Sequence, residues 1–599
     1  MTKIDIAIKN AVLNAVKTLY NSQISEKQVS IQKTRKEFEG DFTVVVFPFL
    51  RFSKKSPDLT AEEIGKFLQK NMPEISEFNV IKGFLNISLS HQYWFNFFKE
   101  INSIEKYGFK KVSDKSKKIV IEFSSPNTNK PLHLGHIRNN LLGLSVSKIA
   151  EASGHKVIKV NLVNDRGIHI CKSMLAWEKL AEGKTPETEK MKGDRFVGEY
   201  YVAFDKEYKK QIAELIKNGI SEENAKNEAE WMREARKMLK KWEEGDKEVR
   251  NLWKRMNEWV YKGFDETYKK LGIKFDKIYY ESETYLKGKD IIINALKKGI
   301  VRQKEDGTVF IDLTSEGLDE KVLLRSDGTA LYMTQDIGTA IIRYEDYKFD
   351  ESAYVVGNEQ DYHFKVLKIV LEKLGYSWAK NISHISYGMV ELPHGKMKSR
   401  EGTVVDADDL IEEMIQTAMQ KSEELGKSDD FTEDEKSEIF RKIALGALKY
   451  FILKVDAKKN MMFNPQESID FNGNTGPFIQ YTYVRIKSLL NKAGESGITD
   501  FSNYKSPNKA EESEISLLRV LYDFEEVIKE AEKKRNPSEI ANYVYDLAKE
   551  YNRFYHEIPP VLKEKNIDVK KFRLSLSQKT ALVIKDALDL LGIEVPERM

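Results

Sequence analysis

Residues Ile121 to Gly143 read IEFSSPNTNKPLHLGHIRNNLLG, and the fold turns on how that stretch is parsed. An apolar run closes on Glu122 and Phe123, breaks at Ser124-Ser125-Pro126-Asn127, turns through Pro131 and Gly135, and enters a helical pattern after His136. The parse is strand, loop, helix N-terminus. Corners of this kind hold phosphates in α/β proteins, because unpaired N–H groups and the positive end of the helix dipole face outward there. Gly135 lets backbone come close to a ligand, and His133 and His136 supply two donors directed at phosphate oxygens. Two surface histidines at a helix start are the competing reading of a bare HxGH.

Working outward, the spacing predicts a helix from Ile137 to Ser153, stopped at Gly154. HKVIKVNLVNDRGIHI (155–170) follows as a second buried strand and a turn at Asn164-Asp165-Arg166-Gly167. Strand, helix and strand over about forty residues make the right-handed crossover of a doubly wound parallel sheet. Ligand then belongs at the carboxyl ends of the strands, where Asn127 and Asp165 fall. From about Glu178 to Lys277 the chain reads as long charged helices carrying Trp and Tyr at helical spacing, a helical insertion whose aromatic stripe packs and whose charged face is solvated. A second small insertion covers about 285–325. Strand patterns return with GTVFIDL (307–313) and KVLLRSDGTALYMTQDIGTAIIRYEDY (321–347), in which Asp327-Gly328 marks a hairpin-type turn. Tyr332 and Asp336, four apart, share a face if the helix has already begun. An ordinary N-cap is the alternative for Asp336. ESAYVVGNEQDYHFKVLKIVLEKLG (351–375) gives another strand whose end gathers polar side chains.

Gly395 and Gly402 bracket Lys396-Met397-Lys398-Ser399-Arg400, a basic loop suited to neutralising a departing pyrophosphate. Residues 1–108 alternate helix and strand as a small α/β or α+β module, in which Lys33, Arg35 and Lys36 lie beside Phe38 and Phe42. After Asp406 the chain is almost wholly helical: a connector over 411–470, then a bundle over 471–599. In that bundle Tyr481, Tyr483 and Phe554, read as exposed, would stack unpaired bases with Arg485 nearby, and bundle core is the alternative for any one of them.

The 599 residues suffice for about three to five domains. Hydrophobic content of 41% with 32% charge and no long apolar run describes a globular chain with no membrane span. A lone cysteine, Cys171, excludes disulfide frameworks and thiolate zinc sites and fits a reducing compartment, so a cytoplasmic location is expected. The net charge of +3 means an anionic partner is met by local patches.

HLGH and the KMxSR string, in that order and each after a strand, resemble the two signatures of class I aminoacyl-tRNA synthetases. The second departs from the usual KMSKS: its fourth position is Ser399 and its fifth Arg400, which leaves Lys130, Lys398 and Arg400 as candidates for the missing cation. FSSPNTNKPLHLGHIR, GDRFVGEYYV, RSDGTALYMTQDIG, VVGNEQDYH, GNTGPFIQYTYVRI, NRFYHEIPPVL and the terminal LLGIEVPERM are together similar to the arginyl-tRNA synthetase family, in order and across nearly the whole chain. The resemblance implies a Rossmann-type parallel-sheet α/β catalytic domain (109–410) with helical insertions, an N-terminal tRNA-contacting module and a C-terminal α-helical anticodon-binding bundle. It implies ATP as substrate with Mg²⁺ accompanying it, no zinc, and tRNA(Arg) and L-arginine as partners of a monomer. Arginine's carboxylate would attack the ATP α-phosphate, and the terminal ribose hydroxyl of tRNA would then take the arginyl group, with tRNA commonly needed for the first step.

By the same resemblance, His133, His136, Lys396 and Lys130 serve catalysis. ATP is met by His133, Gly135, His136, Met389, Val390, Lys396, Met397 and Ser399. Glu122, Asn127, Tyr332, Asp336 and Gln360 hold arginine, whose planar guanidinium calls for carboxylate and carbonyl or hydroxyl acceptors. Asp336 with Tyr332 is the choice for that group. Other class I synthetases, the cysteinyl or glutamyl kind, are the near alternative, and the cysteinyl kind needs a zinc that one cysteine cannot build. A non-catalytic RNA-binding relative is the distant one, and it would have lost the HLGH and KM residues.

Overall fold

Ile8, Val12, Ala15 and Val16 recur along one face of the first helix, Ile4–Tyr20, and are buried there. Strands β1 (Ile31–Lys33), β2 (Phe42–Val45), β3 (Ile75–Ile81) and β4 (Phe84–Leu89) follow in an antiparallel sheet of order β1-β2-β4-β3. Lys82 and Gly83, at φ 50° and 78°, make the tight turn between β3 and β4. The computed structural model describes residues 4–35, 37–391, 405–424, 432–507 and 509–599. Two compact units emerge, and they divide the chain differently from the sequence boundaries. The first joins Met1–Tyr107 to Arg485–Phe524 and Asp546–Val583. Within it the aromatic face of the helix His91–Asn102 is covered by residues from the far end of the chain, Trp94 against Tyr522 and Phe95 against Phe572 at 5.9 and 5.4 Å between rings. Ion pairs of Asp41 with Arg519 and Lys33 with Asp523 flank that contact.

The second unit, Gly108–Val484 with Glu525–Tyr545 and Ile584–Met599, is built on a parallel sheet. β5 (Lys118–Glu122), β6 (Lys156–Val163) and β7 (Lys277–Tyr280) run outward in one direction. The small antiparallel insertion β8 (Arg302–Gln303), β9 (Val309–Ile311) and β10 (Lys321–Leu324) intervenes, and β11 (Glu351–Gly357) and β12 (Ile382–Tyr387) then continue from the other side of β5. The resulting order is β12-β11-β5-β6-β7, with all four pairings parallel. Ile119, Val120 and Ile121 are fully buried, as helices on both faces of a parallel sheet require. Strand order reverses at β5, so the crevice beyond the carboxyl ends of β5 and β11 is the topological switch point where such sheets take ligands. Between β6 and β7 lie the insertion helices Gly193–Lys217, Glu230–Glu244 and Lys247–Leu271. Their aromatic stripe packs: Trp259 meets Trp177 and Phe196 at 6.0 and 5.7 Å. Among the described residues after Asp406 one short strand interrupts the helices, β14 (Met461–Met462), paired in parallel with β13 (Val390–Glu391).

Candidate active site

The loop leaving β5 is strained where it turns. Ser124 and Ser125 have φ of 80° and 47°, a left-handed conformation that costs a serine about 1 to 3 kcal/mol and is kept only where the surroundings impose it. They impose it here through side-chain amides: the Ser124 N–H donates to Asn139 Oδ1 at 2.6 Å and the Ser125 N–H to Asn161 Oδ1 at 3.0 Å, while Ser124 Oγ meets the Tyr268 hydroxyl at 2.7 Å. Loop and next strand stay joined beyond the turn by an isolated bridge between Asn127 and Asn164.

His133 then caps the helix Leu134–Ala152. Its Nδ1 accepts from the Gly135 N–H at 3.1 Å, and the Nδ1 of His136 accepts from the His133 N–H at 3.2 Å, with ring centroids 4.0 Å apart. Because both Nδ1 atoms are acceptors, each Nε2 carries the ring proton. Burial, with the nearby charge of Lys130, holds His133 down to about 3 and His136 well below the ordinary histidine range. Both are therefore neutral N–H donors, not cations, at any pH near neutrality.

The second signature is tied to the first by backbone. On its far side the Leu134 N–H donates to Val405 O at 3.4 Å, Ala407 N–H to Leu132 O at 2.9 Å, and His133 bridges Asp406. On its near side are Met389, half exposed, and Val390, buried in β13. Lys396, Met397, Lys398, Ser399 and Arg400 lie outside the described residues.

Across the crevice the helix Tyr332–Tyr347 begins at Tyr332 itself, with Leu331 as its N-cap. Tyr332 and Asp336 thus share a face, and the N-cap alternative for Asp336 is corrected: it is the fifth helical residue, past the unpaired N–H groups a cap would satisfy. Asp336 Oδ2 lies 2.6 Å from His363 Nε2, and Tyr332 is 76% exposed. Gln360 and Asn127 are exposed at the ends of β11 and β5. Glu122 departs from expectation. Its carboxylate is buried, ion-paired with the fully buried guanidinium of Arg343, and accepts from Ser125 Oγ at 3.0 Å.

A further buried acid, one the sequence reading missed, lies near Asp336. Glu281 is the first residue of the helix Glu281–Lys297, at the carboxyl end of β7, and is buried with Arg166 Nη1 3.8 Å from its carboxylate. Burial raises its pKa to about 7, opposed by Arg166 and reinforced by the charges of Asp165 and Asp336. The signal available was an acid ending the short apolar run KIYY, too brief to stand out as a strand. What brings Glu281 and Asp336 together is a glycine crossing of their helices: a Cβ on Gly288 would lie 1.9 Å from Thr334 O, and one on Gly338 would lie 2.6 Å from Gly288 N. We expect Gly288→Ala to destabilise the protein by about 1 to 3 kcal/mol and to raise the KM of a substrate held between these helices as they part. Thermal unfolding and steady-state kinetics check both, and an unaltered KM would sever the crossing from the pocket.

The family model for tRNA synthetases class I (R), catalytic domain, matches residues 100–465. The Arginyl tRNA synthetase N terminal domain matches residues 6–89, and the DALR anticodon binding domain matches residues 479–599. An arginine–tRNA ligase of Bacteroides thetaiotaomicron is 58% identical over 597 residues, covering 100% of both chains. The chain belongs to the arginyl-tRNA synthetase family. Another arginine–tRNA ligase, from Flavobacterium psychrophilum, is 53% identical over 600 residues, with 98% of each covered. Among solved structures, the Thermus thermophilus arginyl-tRNA synthetase superposes with a TM-score of 0.78 at 25% identity, covering 100% of both chains. The Plasmodium falciparum arginyl-tRNA synthetase has the same fold, with a TM-score of 0.75 at 21% identity, covering 100% of this chain and 99% of that one.

The family's anticodon-binding region corrects two expectations. Phe554 is fully buried and Tyr483 is 4% exposed, its hydroxyl 3.5 Å from Glu597, so neither ring can stack a base. They fall on the apolar faces of the helices Ser538–Glu557 and Gly476–Glu495. Tyr481 is half-buried. Arg485 hydrogen bonds to Asn552 and lies 5.4 Å over the ring of Tyr555, which is 37% exposed. Among the described residues no helix is long and apolar enough to cross a membrane, and no cluster of three or more His, Cys, Asp or Glu is arranged for a metal ion.

Proposed function

We propose that this chain attaches arginine to tRNA(Arg) in two steps, using ATP. What supports the amino-acid assignment is that Glu281 and Asp336 sit on helices that cross in close contact at Gly288 and Gly338, near enough for the charge of Asp336 to act on Glu281. A guanidinium presents donors in a planar fork, and paired carboxylates answer it where a lysine ammonium would leave one unmet. Asp336, held by His363, takes one edge, Glu281 takes the other, and Tyr332 adds a hydroxyl. Asn127 and Gln360, at the strand ends, meet the amino-acid backbone together with Glu122, the last residue of β5. His133 and His136 donate to the phosphates as neutral groups, aided by Gly135, Met389 and Val390, and by Lys130 with Lys396, Met397 and Ser399.

Arginine's carboxylate oxygen forms a bond to the α-phosphorus as the bond to pyrophosphate breaks. The terminal ribose hydroxyl of tRNA then attacks the adenylate's carbonyl carbon, and AMP leaves. No side chain is consumed: the protein positions reactants and stabilises negative charge. Mg²⁺ travels with the triphosphate and offsets its charge. Tyr481 and Arg485 remain as contacts for tRNA, and the protein acts as a monomer in the cytoplasm. Charging of purified tRNA with each of the twenty amino acids tests the reading: arginine alone should be esterified, and ester formation with any other would refute it.

A pH dependence follows from Glu281. With its pKa raised to about 7, the free enzyme carries that negative charge above neutrality and loses it below, while arginine stays cationic throughout. We expect kcat/KM for arginine to fall as pH drops through 7, approaching about tenfold per unit, and Glu281→Gln to flatten that limb. A wild-type profile level between pH 5.5 and 8 would remove Glu281 from the site.

A further inference from the structure

Arg138 follows His136 by two residues and is fully buried, yet its three hydrogen-bond acceptors are peptide oxygens: Nη1 donates to Met389 O at 2.9 Å, and Nη2 to Ala457 O and Lys459 O at 3.0 and 2.7 Å. A buried cation is costly, and one spent on carbonyls is spent on fixing backbone. What it fixes is the segment leading into the second signature. Met389 is gripped on both sides, since its N–H donates to Asn460 Oδ1 at 2.8 Å and its carbonyl also accepts from the Met461 N–H at 2.9 Å. The two backbones touch at Gly388, where a Cβ would lie 2.6 Å from the Lys459 carbonyl carbon. Asn139, the next residue of the helix, donates to the Tyr387 hydroxyl at 3.1 Å. One turn of the signature helix therefore presents the paired histidines at its start and holds residues 387–390 just beyond.

We propose that Arg138 is a positioning residue for ATP: its guanidinium fork sets Met389 and Val390 at a fixed distance from His133 and His136, so that both sets of contacts meet the same nucleotide. The inference rests on the assignment of Met389 and Val390 to ATP. A lysine keeps the charge but not the planar fork that serves carbonyls on two separate segments.

The test uses the full chain with Arg138→Lys, Arg138→Met and Asn460→Ala, the last an exposed change that leaves the core intact. Affinity for a non-hydrolysable ATP analogue and the KM values for ATP, arginine and tRNA are measured separately. Either Arg138 substitution should weaken analogue binding at least about tenfold and Asn460→Ala about threefold, with arginine KM within about twofold of wild type, because the displacement falls on the nucleotide alone. Arg138→Lys/Asn460→Ala should lose less than the product of the single effects, since both hold Met389. Wild-type analogue affinity in Arg138→Lys, or KM values for all three substrates rising together, overturns the proposal. If the Arg138 variants do not fold, unchanged affinity in Asn460→Ala overturns it instead. A wild-type enzyme that binds the analogue but charges another amino acid refutes the functional reading, and Arg138 is still judged on analogue affinity.

Discussion

Asp336→Asn is expected to lower kcat/KM for arginine by about 10² to 10³, or about 3 to 4 kcal/mol, within the range found on truncating one partner of a desolvated charge pair. Binding of ATP should survive, because His133 and His136, proposed for the phosphates, stand on a different element, the helix after β5. The amide keeps the size of the carboxylate and one acceptor oxygen. What it loses is the charge and the second acceptor, and its NH₂ would face guanidinium N–H groups donor to donor. His363, at 2.6 Å, gives the prediction a control. If Asp336 served only to hold that imidazole, His363→Ala would reproduce the whole loss. If it meets the substrate, His363→Ala should cost far less, by loosening the carboxylate without removing it. Unchanged arginine KM and kcat in Asp336→Asn would sink the assignment.

The parallel sheet and its switch point were legible in the sequence for a physical reason. β5 is buried from Ile119 onward and reads as an apolar run, β6 is buried over its carboxyl half and keeps an apolar pattern despite Lys159 and Asn161, and the corner between them carries breakers, a glycine and two histidines in close order. Long-range pairings left no such trace. Glu281 follows a strand of only four residues, and its nearness to Asp336 depends on two glycines fifty residues apart in sequence, Gly288 and Gly338, each unremarkable alone. Glu122's ion pair with Arg343 was equally hidden, because Arg343 arrives from a helix more than two hundred positions away. Phe554 and Tyr483 failed differently: the composition that makes a base-stacking face also makes a bundle core, and periodicity reports only that a face is apolar. The long charged helices after β6 posed the same choice and resolved the same way, toward packing.

The phosphate side makes the sharper claim, because it concerns a charge that is absent. Two histidines beside a polyphosphate invite the reading that they are imidazolium cations, and in that case kcat would decline as pH rises through the histidine range. Burial, the neighbouring Lys130 and acceptor roles for both Nδ1 atoms argue the reverse: with His133 held near 3 and His136 also far down, protonation lies below the working range and the rings donate as neutral N–H groups. His136→Ala is therefore expected to lower kcat by about 10² to 10³, the cost of one preorganised donor at developing negative charge, with little change in the ATP KM. His136→Asn should recover part of that loss, since an amide N–H can donate where no cation is required. The wild-type kcat should show no histidine limb between pH 6 and 7.5. A kcat that falls as pH climbs through 6.5, together with no recovery in His136→Asn, would mean that the pair works by charge and that its buried, mutually capped geometry has been misread.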